Sequence, residues 1–174
     1  MKQILRTQRL VLSEFEHSDA MFIIELLNDP DFIRFIGDKN VRTENDAIAY
    51  LDNGPMKSYK ENGFGLWKIT KAEDSETPLG MCGLIKREQL PCWDIGYAFL
   101  PAFRAQGYAA EAALACKEFA FDHFGQSHLC GIVNQDNPGS INVLRKLGMR
   151  YETTLRLPNA DHDVELYIVA KGTL

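Results

Sequence analysis

The stretch CWDIGYAFLPAFRAQGYAAEAALACKEFAFDHFGQSHLCGIVN, Cys92 to Asn134, decides the fold. It opens on the apolar, aromatic run CWDIGYAFL, which stops at Pro101, and it closes on a second such run, HLCGIVN. Both patterns predict strands. Between them an alanine-rich segment predicts a helix from Gly107 to Phe124, with Gly125 as its C-terminal cap. A strand–helix–strand crossover joins parallel neighbours, so these two strands should be parallel. Alanines at 109, 110, 112, 113 and 115 would let the helix lie close on them.

Outward from this unit the connections are short. GFGLWKIT ends in the charged loop KAEDSETP, LGMCGLIKR leads through Glu88 to Pro91, and CWDIGYAFL follows. That order predicts an antiparallel meander. RLVLSEF, from Arg9 to Phe15, begins like a strand, and YETTLRL and VELYIVA are two more, joined by the turn-rich PNADHD. Ser18-Asp19 offers a cap for an apolar helix, AMFIIELL, that stops before Asn28-Asp29-Pro30. Thr43-Glu44-Asn45-Asp46 opens another helix running toward Lys60, with a break or kink expected at Gly54-Pro55. Asn137-Pro138 suits the N-cap and first position of a last helix, ended by Gly148. The fold class is α+β, a mixed and mostly antiparallel sheet with one parallel pair, flanked by helices.

Composition bounds the function. A chain of 174 residues is expected to form one domain, 1–174, with a core of its own. The net charge of −5 supplies no basic excess for phosphate backbones, which argues against a nucleic-acid partner. Met1-Lys2-Gln3 begins no apolar leader, and no apolar run is long enough to span a membrane. A cytoplasmic location follows as the expectation, with Cys82, Cys92, Cys116 and Cys130 as reduced thiols. His17, His123, His128 and His162 are scattered, so no metal site is expected. Either a monomer or a homodimer fits.

The chemistry concentrates at Arg104-x-x-Gly107-x-Ala109, which directly follows a strand and opens a helix. Unpaired N–H groups and the positive end of the helix dipole suit a phosphate or pyrophosphate there. Gly107 lets the backbone approach an anion, and Ala109 keeps the first turn narrow. Taken alone, the pattern also suits an ordinary core helix with a glycine in its entry turn.

Three separated segments resemble the GNAT N-acetyltransferase superfamily. The turn is similar to its acyl-CoA motif [QR]-x-x-G-x-[GA]. LRTQRLVLSEF, DIGYAFLPAFRAQGYAAEA and VNQDNPGSINVLRKLGM resemble, in order, segments of its ribosomal-protein N-terminal acetyltransferase branch. Three departures stand out: Ser13 where arginine is usual, Ala105 for glycine, and Asp94 for the commoner glutamate.

The resemblance implies an enzyme that transfers acetyl from acetyl-CoA directly to a primary amine, with no acyl-enzyme. The favoured acceptor is a protein N-terminal α-amine. The alternatives are a small-molecule amine (polyamine, amino acid or aminoglycoside) or a silent acyl-CoA-binding module. It implies that the backbone of Tyr97, Ala98, Phe99 and Leu100 meets the pantetheine arm like an added strand. The N–H groups of Arg104, Ala105, Gln106, Gly107, Tyr108 and Ala109 would take the pyrophosphate. The parallel strands would splay around the thioester, with an N–H near Phe99 facing the oxyanion. Asn134 and Asn137 match positions near the pantetheine, although Asn137 suits a plain N-cap equally well. Ser140 would protonate the leaving thiolate, or merely satisfy an N–H in its helical turn. Asp94 is the best carboxylate to take the amine's proton, with a solvated strand residue as the competing reading and Glu88 as a lesser candidate. Cys92 and Cys130 are expected in the core, and Phe32, Phe35, Trp67 and Trp93 in the core or a pocket lining.

Overall fold

The structure, a computed structural model, describes residues 2–173; Met1 and Leu174, the ends of the expected domain, lie outside them. Eight strands form one sheet: β1 (Gln3–Arg6), β2 (Leu10–Ser13), β3 (Leu66–Lys71), β4 (Asp74–Ile85), β5 (Asp94–Phe99), β6 (His128–Val133), β7 (Arg150–Leu155) and β8 (Val164–Ala170). Their spatial order is β1-β2-β3-β4-β5-β6-β8-β7. Every neighbouring pair is antiparallel except β5 and β6, the pair the crossover predicts.

The helices are α1 (Ala20–Leu27), α2 (Pro30–Phe35), α3 (Glu44–Asn53), α4 (Pro55–Asn62), α5 (Tyr108–Asp122) and α6 (Pro138–Lys146). Gly54-Pro55 divides α3 from α4, as expected. Gly54 N–H still closes α3 on Tyr50 O, and Pro55, with no N–H to donate, suits the first position of α4. Three expectations need correction. β1 is an additional edge strand. Asp29 caps α2 through a bond from Phe32 N–H, so helix resumes directly after the turn. The charged loop shrinks to a tight turn, because Asp74–Pro78 already belong to β4.

Each face of the sheet carries its own apolar layer. On one, Trp67, Ile69, Cys82, Leu84, Ile95 and Phe99 pack against Ala112, Ala113, Cys116 and Ala120 of α5. These alanines and Cys116 are fully buried, so their small side chains set how closely α5 approaches. On the other face, α1 and α3 bury Ile23, Leu26, Leu27 and Leu51 with Phe32 of α2, against Met81, Ala98 and Leu100. Each fully buried Leu or Ile contributes about 1.5–3 kcal/mol. α6 sits tightly on β6, where a Cβ on Gly131 would come within 2.5 Å of Leu144 Cδ2.

Trp67 and Phe32 are core residues, and Trp93 packs its ring 4.1 Å from that of Phe64. Cys130 is buried beside Leu90 and Leu166, with Cys92 packed against the group. All four cysteines are unbridged.

Candidate active site

The site forms where β5 and β6 part. Their ladder pairs Asp94 with Cys130, and Cys130 N–H donates to Trp93 O at 2.9 Å. Further along, β6 stays with β8 and β5 stays with β4. Leu100 N–H donates to Leu79 O on the β4 side. Strand alternation then turns the N–H groups of Phe99 and Tyr97 the other way, toward the gap. The backbone donors expected for a pantetheine arm and an oxyanion therefore face the opening.

The turn after β5 leads into the α5 N-terminus. Gly107 has φ +80° and is the N-cap, and Ala105 has φ +58°. Both conformations are left-handed, so Ala105 holds a shape in which glycine would be unstrained. The first-turn N–H groups of Tyr108 and Ala109 have no intrahelical acceptor.

Thr7 and Arg9, in the bend between β1 and β2, fix this turn with Glu111 on α5, a role absent from the expectations above. Thr7 Oγ1 donates to Glu111 Oε1 at 2.6 Å, and Arg9 Nε donates to Glu111 Oε2 at 2.6 Å. Arg9 Nη1 donates to Gln106 O at 2.9 Å, and the guanidinium covers the Tyr108 ring. Burial opposes ionisation of Glu111, yet these donors together hold its carboxyl below the usual range. A signal existed in the sequence: Thr7 and Arg9 fall in the first of the three resembling segments. Beside the turn a cavity of about 370 Å³ is lined by Arg6, Arg9, Lys71 and Tyr108 among others. A helix start with unpaired N–H groups, a glycine in the left-handed region, and Arg6, Arg9 and Lys71 outnumbering Glu73 fit a pyrophosphate.

Arg104 is turned elsewhere. Its N–H donates to Pro101 O at 3.3 Å, so that donor is already engaged. Its Nε donates to Phe99 O at 2.9 Å, and its other nitrogens pair with Asp29 and, at 2.8 Å, with Asp31. Arg104 thus ties the turn to the start of α2.

Asp94 and Ser140 lie on opposite faces of the sheet. Ile95 and Tyr97 point to the α5 side, so alternation puts Asp94 on the α1–α3 side. Asp94 is only 1% exposed, which removes the reading of a solvated strand residue. Its carboxylate accepts from Arg87 Nε at 3.2 and 3.3 Å. Burial pushes its pKa up to about 6, with Arg87 opposing the rise. Glu88 instead lines a cavity of about 550 Å³ with Lys86, Arg87, Cys92 and His128, at the closed end of the parallel pair.

On the α5 side, Asn137 is the N-cap of α6, its Oδ1 accepting from Ser140 N–H at 3.1 Å. Asn134 Oδ1 accepts from Asp136 N–H at 2.9 Å, and its carbonyl accepts from Asn137 N–H. These bonds fix the loop between β6 and α6. Ser140 Oγ is 2.7 Å from the Tyr97 hydroxyl, which also donates to Ser140 O at 3.1 Å. The resemblance implies a role for the Tyr97 backbone alone; the fold adds this side-chain contact across the gap. Among the described residues, no group of three or more His, Cys, Asp or Glu could hold a metal ion. Nor, among the described residues, is any helix long and apolar enough to cross a membrane.

Comparison with known proteins shows the family and the fold. The acetyltransferase (GNAT) domain model matches residues 9–150. The uncharacterized protein YkkB of Bacillus subtilis is 33% identical over 161 residues, covering 89% of this chain and 90% of its own length. The uncharacterized N-acetyltransferase YnaD of the same organism is 30% identical, covering 85% and 83%. The ribosomal-protein-S5-alanine acetyltransferase of Vibrio fischeri shares the fold, with a TM-score of 0.78 at 16% identity, covering 97% of this chain and 96% of that one. The chain belongs to the GNAT acetyltransferase family and is an acetyl-transferring enzyme with acetyl-CoA as co-substrate.

Proposed function

We propose that the acceptor is a protein N-terminal α-amine, that Asp94 takes the amine's proton, and that Ser140 protonates the departing thiolate. The observation that carries the role of Asp94 is its carboxyl, 1% exposed, held by Arg87 at the start of the gap and raised to about 6. The choice of acceptor rests on the basicity of the amines and on the motifs. An amine attacks a thioester only when neutral, so the base must be matched to its ammonium. An α-ammonium ionises at about 7.7–8.0 and a lysine-type ammonium at about 10.4. Transfer to a base at about 6 is then uphill by roughly 2 units, or about 3 kcal/mol, for the α-amine. For an alkylamine it is uphill by more than 4 units, or about 6 kcal/mol. The less basic amine is the easier to neutralise, a property of the amine that holds for any base. The resemblance of the three motifs to the N-terminal acetyltransferase branch supports the same choice.

In this reading the amine approaches from the α1–α3 face and the thiol departs on the α5 face. The N–H groups of Ala105, Gln106, Gly107, Tyr108 and Ala109 hold the pyrophosphate. The backbone from Tyr97 to Leu100 aligns the pantetheine, and Phe99 N–H receives the oxyanion. Asn134 and Asn137 shape the loop that borders the arm.

A thiol-release screen with acetyl-CoA tests the acceptor. Peptides with a free α-amine should turn over fastest, ahead of the same peptides Nα-blocked with a lysine present, and ahead of polyamines, free amino acids and aminoglycosides. Faster turnover of any small amine than of every peptide would overturn the protein acceptor.

A further inference from the structure

We infer that Tyr97 is a positioning residue that resupplies Ser140 with the proton it gives to the departing thiolate. The inference rests on the reading of Ser140 as the proton donor. Tyr97 reaches from β5 on one side of the gap to α6 on the other, with 2.7 Å between the two hydroxyl oxygens. A phenol has one proton to give. While Tyr97 donates to Ser140 O at 3.1 Å, the short contact makes the Ser140 hydroxyl the donor to the phenol oxygen. Rotating the Tyr97 O–H from Ser140 O to Ser140 Oγ reverses the short bond and frees the Ser140 proton for another acceptor.

That reversal answers a chemical problem. As the new C–N bond forms and the C–S bond breaks, the electron pair stays on sulfur. Ser140 Oγ–H gives its proton to the sulfur, and Tyr97 O–H gives its own to Ser140 Oγ. The charge ends on the phenolate, a far weaker base than a serine alkoxide, and the phenolate regains a proton from water after the thiol leaves. Of the two protons the ammonium loses, one has gone to Asp94 before attack. The second leaves the nitrogen of the intermediate through water, which reprotonates the phenolate, so the protons balance. Burial holds the Tyr97 hydroxyl above the ordinary phenol, with the Ser140 bond opposing it. Tyr97 therefore stays protonated through the neutral range, and the same burial opposes a lasting phenolate, so water must reprotonate it as the thiol leaves. Asn137 holds Ser140 N–H and so fixes the first turn in which this exchange takes place.

The test uses Tyr97→Phe, Ser140→Ala and the double variant, with single-turnover rates that report chemistry rather than release. Acetyl-CoA is the donor, and the acceptors are an alanine-initiated peptide and, separately, hydroxylamine, a small nucleophile that is neutral at pH 7. Tyr97→Phe should slow transfer about 10- to 100-fold, toward the lower end of general-acid contributions, while acetyl-CoA affinity stays within about threefold. Adding Tyr97→Phe to Ser140→Ala should cost no more than about twofold beyond Ser140→Ala alone, because groups acting as one unit are not additive. A Tyr97→Phe rate within about twofold of the parent, or losses that multiply in the double variant, would overturn the relay. If Ser140→Ala keeps the parent rate, the reading of Ser140 itself fails; if only Tyr97→Phe keeps it, the relay alone fails. Activity with hydroxylamine but not with the peptide would count against the peptide acceptor and leave the comparison of variants intact.

Discussion

Gly107→Val should fold but lose its grip on CoA, with a dissociation constant raised by at least about 100-fold. Valine at φ +80° meets a left-handed penalty of about 1–2 kcal/mol, and its branched Cβ narrows the backbone further. The added Cβ would stand 3.3 Å from Arg9 Nη2, on the guanidinium whose Nη1 and Nε fasten the turn. Either the turn moves or the side chain stands where the anion must lie. Hydrogen bonds to a charged group contribute about 1.5–3 kcal/mol each, so losing two removes at least a hundredfold in affinity. Calorimetric titration with CoA measures this directly. In the parent, CoA at 100 times its dissociation constant should stabilise the fold by about 2.7 kcal/mol, and the variant should show almost none of that. Undiminished affinity in a folded Gly107→Val protein would remove the pyrophosphate from this turn.

Asp94→Asn should lower kcat by about 100-fold or more, within the range for a lost general base. The pH dependence is the sharper observable. A base works only when ionised, so the parent's rate should rise with pH through about 6, where Asp94 titrates. Asparagine cannot ionise, and that acid limb should vanish from the residual activity. Arg87→Gln should move the limb upward, because removing the guanidinium 3.2 Å away leaves burial unopposed. An Asp94→Asn protein with the parent's rate and profile would hand the proton to water or to another group.

The sequence carried the crossover, the glycine turn that opens α5 and the parallel pair because each rests on local signals, a Pro stop, a glycine cap and a small-residue helix. It did not disclose β1, whose four residues become a strand only by pairing with Leu12 and Val11 of β2. α2 carried a start signal in Asp29-Pro30, but six residues are too few to display an apolar period. Arg104 stood in the motif, yet its side-chain direction depends on Asp29 and Asp31, far away in the chain. Asp94 was legible as a carboxylate near the gap, but its basicity comes from burial on a face that only the folded sheet defines. The Tyr97–Ser140 contact joins residues 43 apart, and no spacing rule connects them.

The single ladder position at Asp94 and Cys130 gives the sheet a seam, with β1 to β5 on one side and β6, β8 and β7 on the other. A seam of this kind has a signature in amide hydrogen exchange. Along the end of β5, Ala98 and Leu100 turn their N–H groups toward β4, whereas Tyr97 and Phe99 turn theirs toward the seam. Protection in the free enzyme should therefore zigzag with a period of two residues, slow at 98 and 100 and fast at 97 and 99. A pantetheine arm docked as an extra strand would fill the missing side, and saturating CoA should level the zigzag.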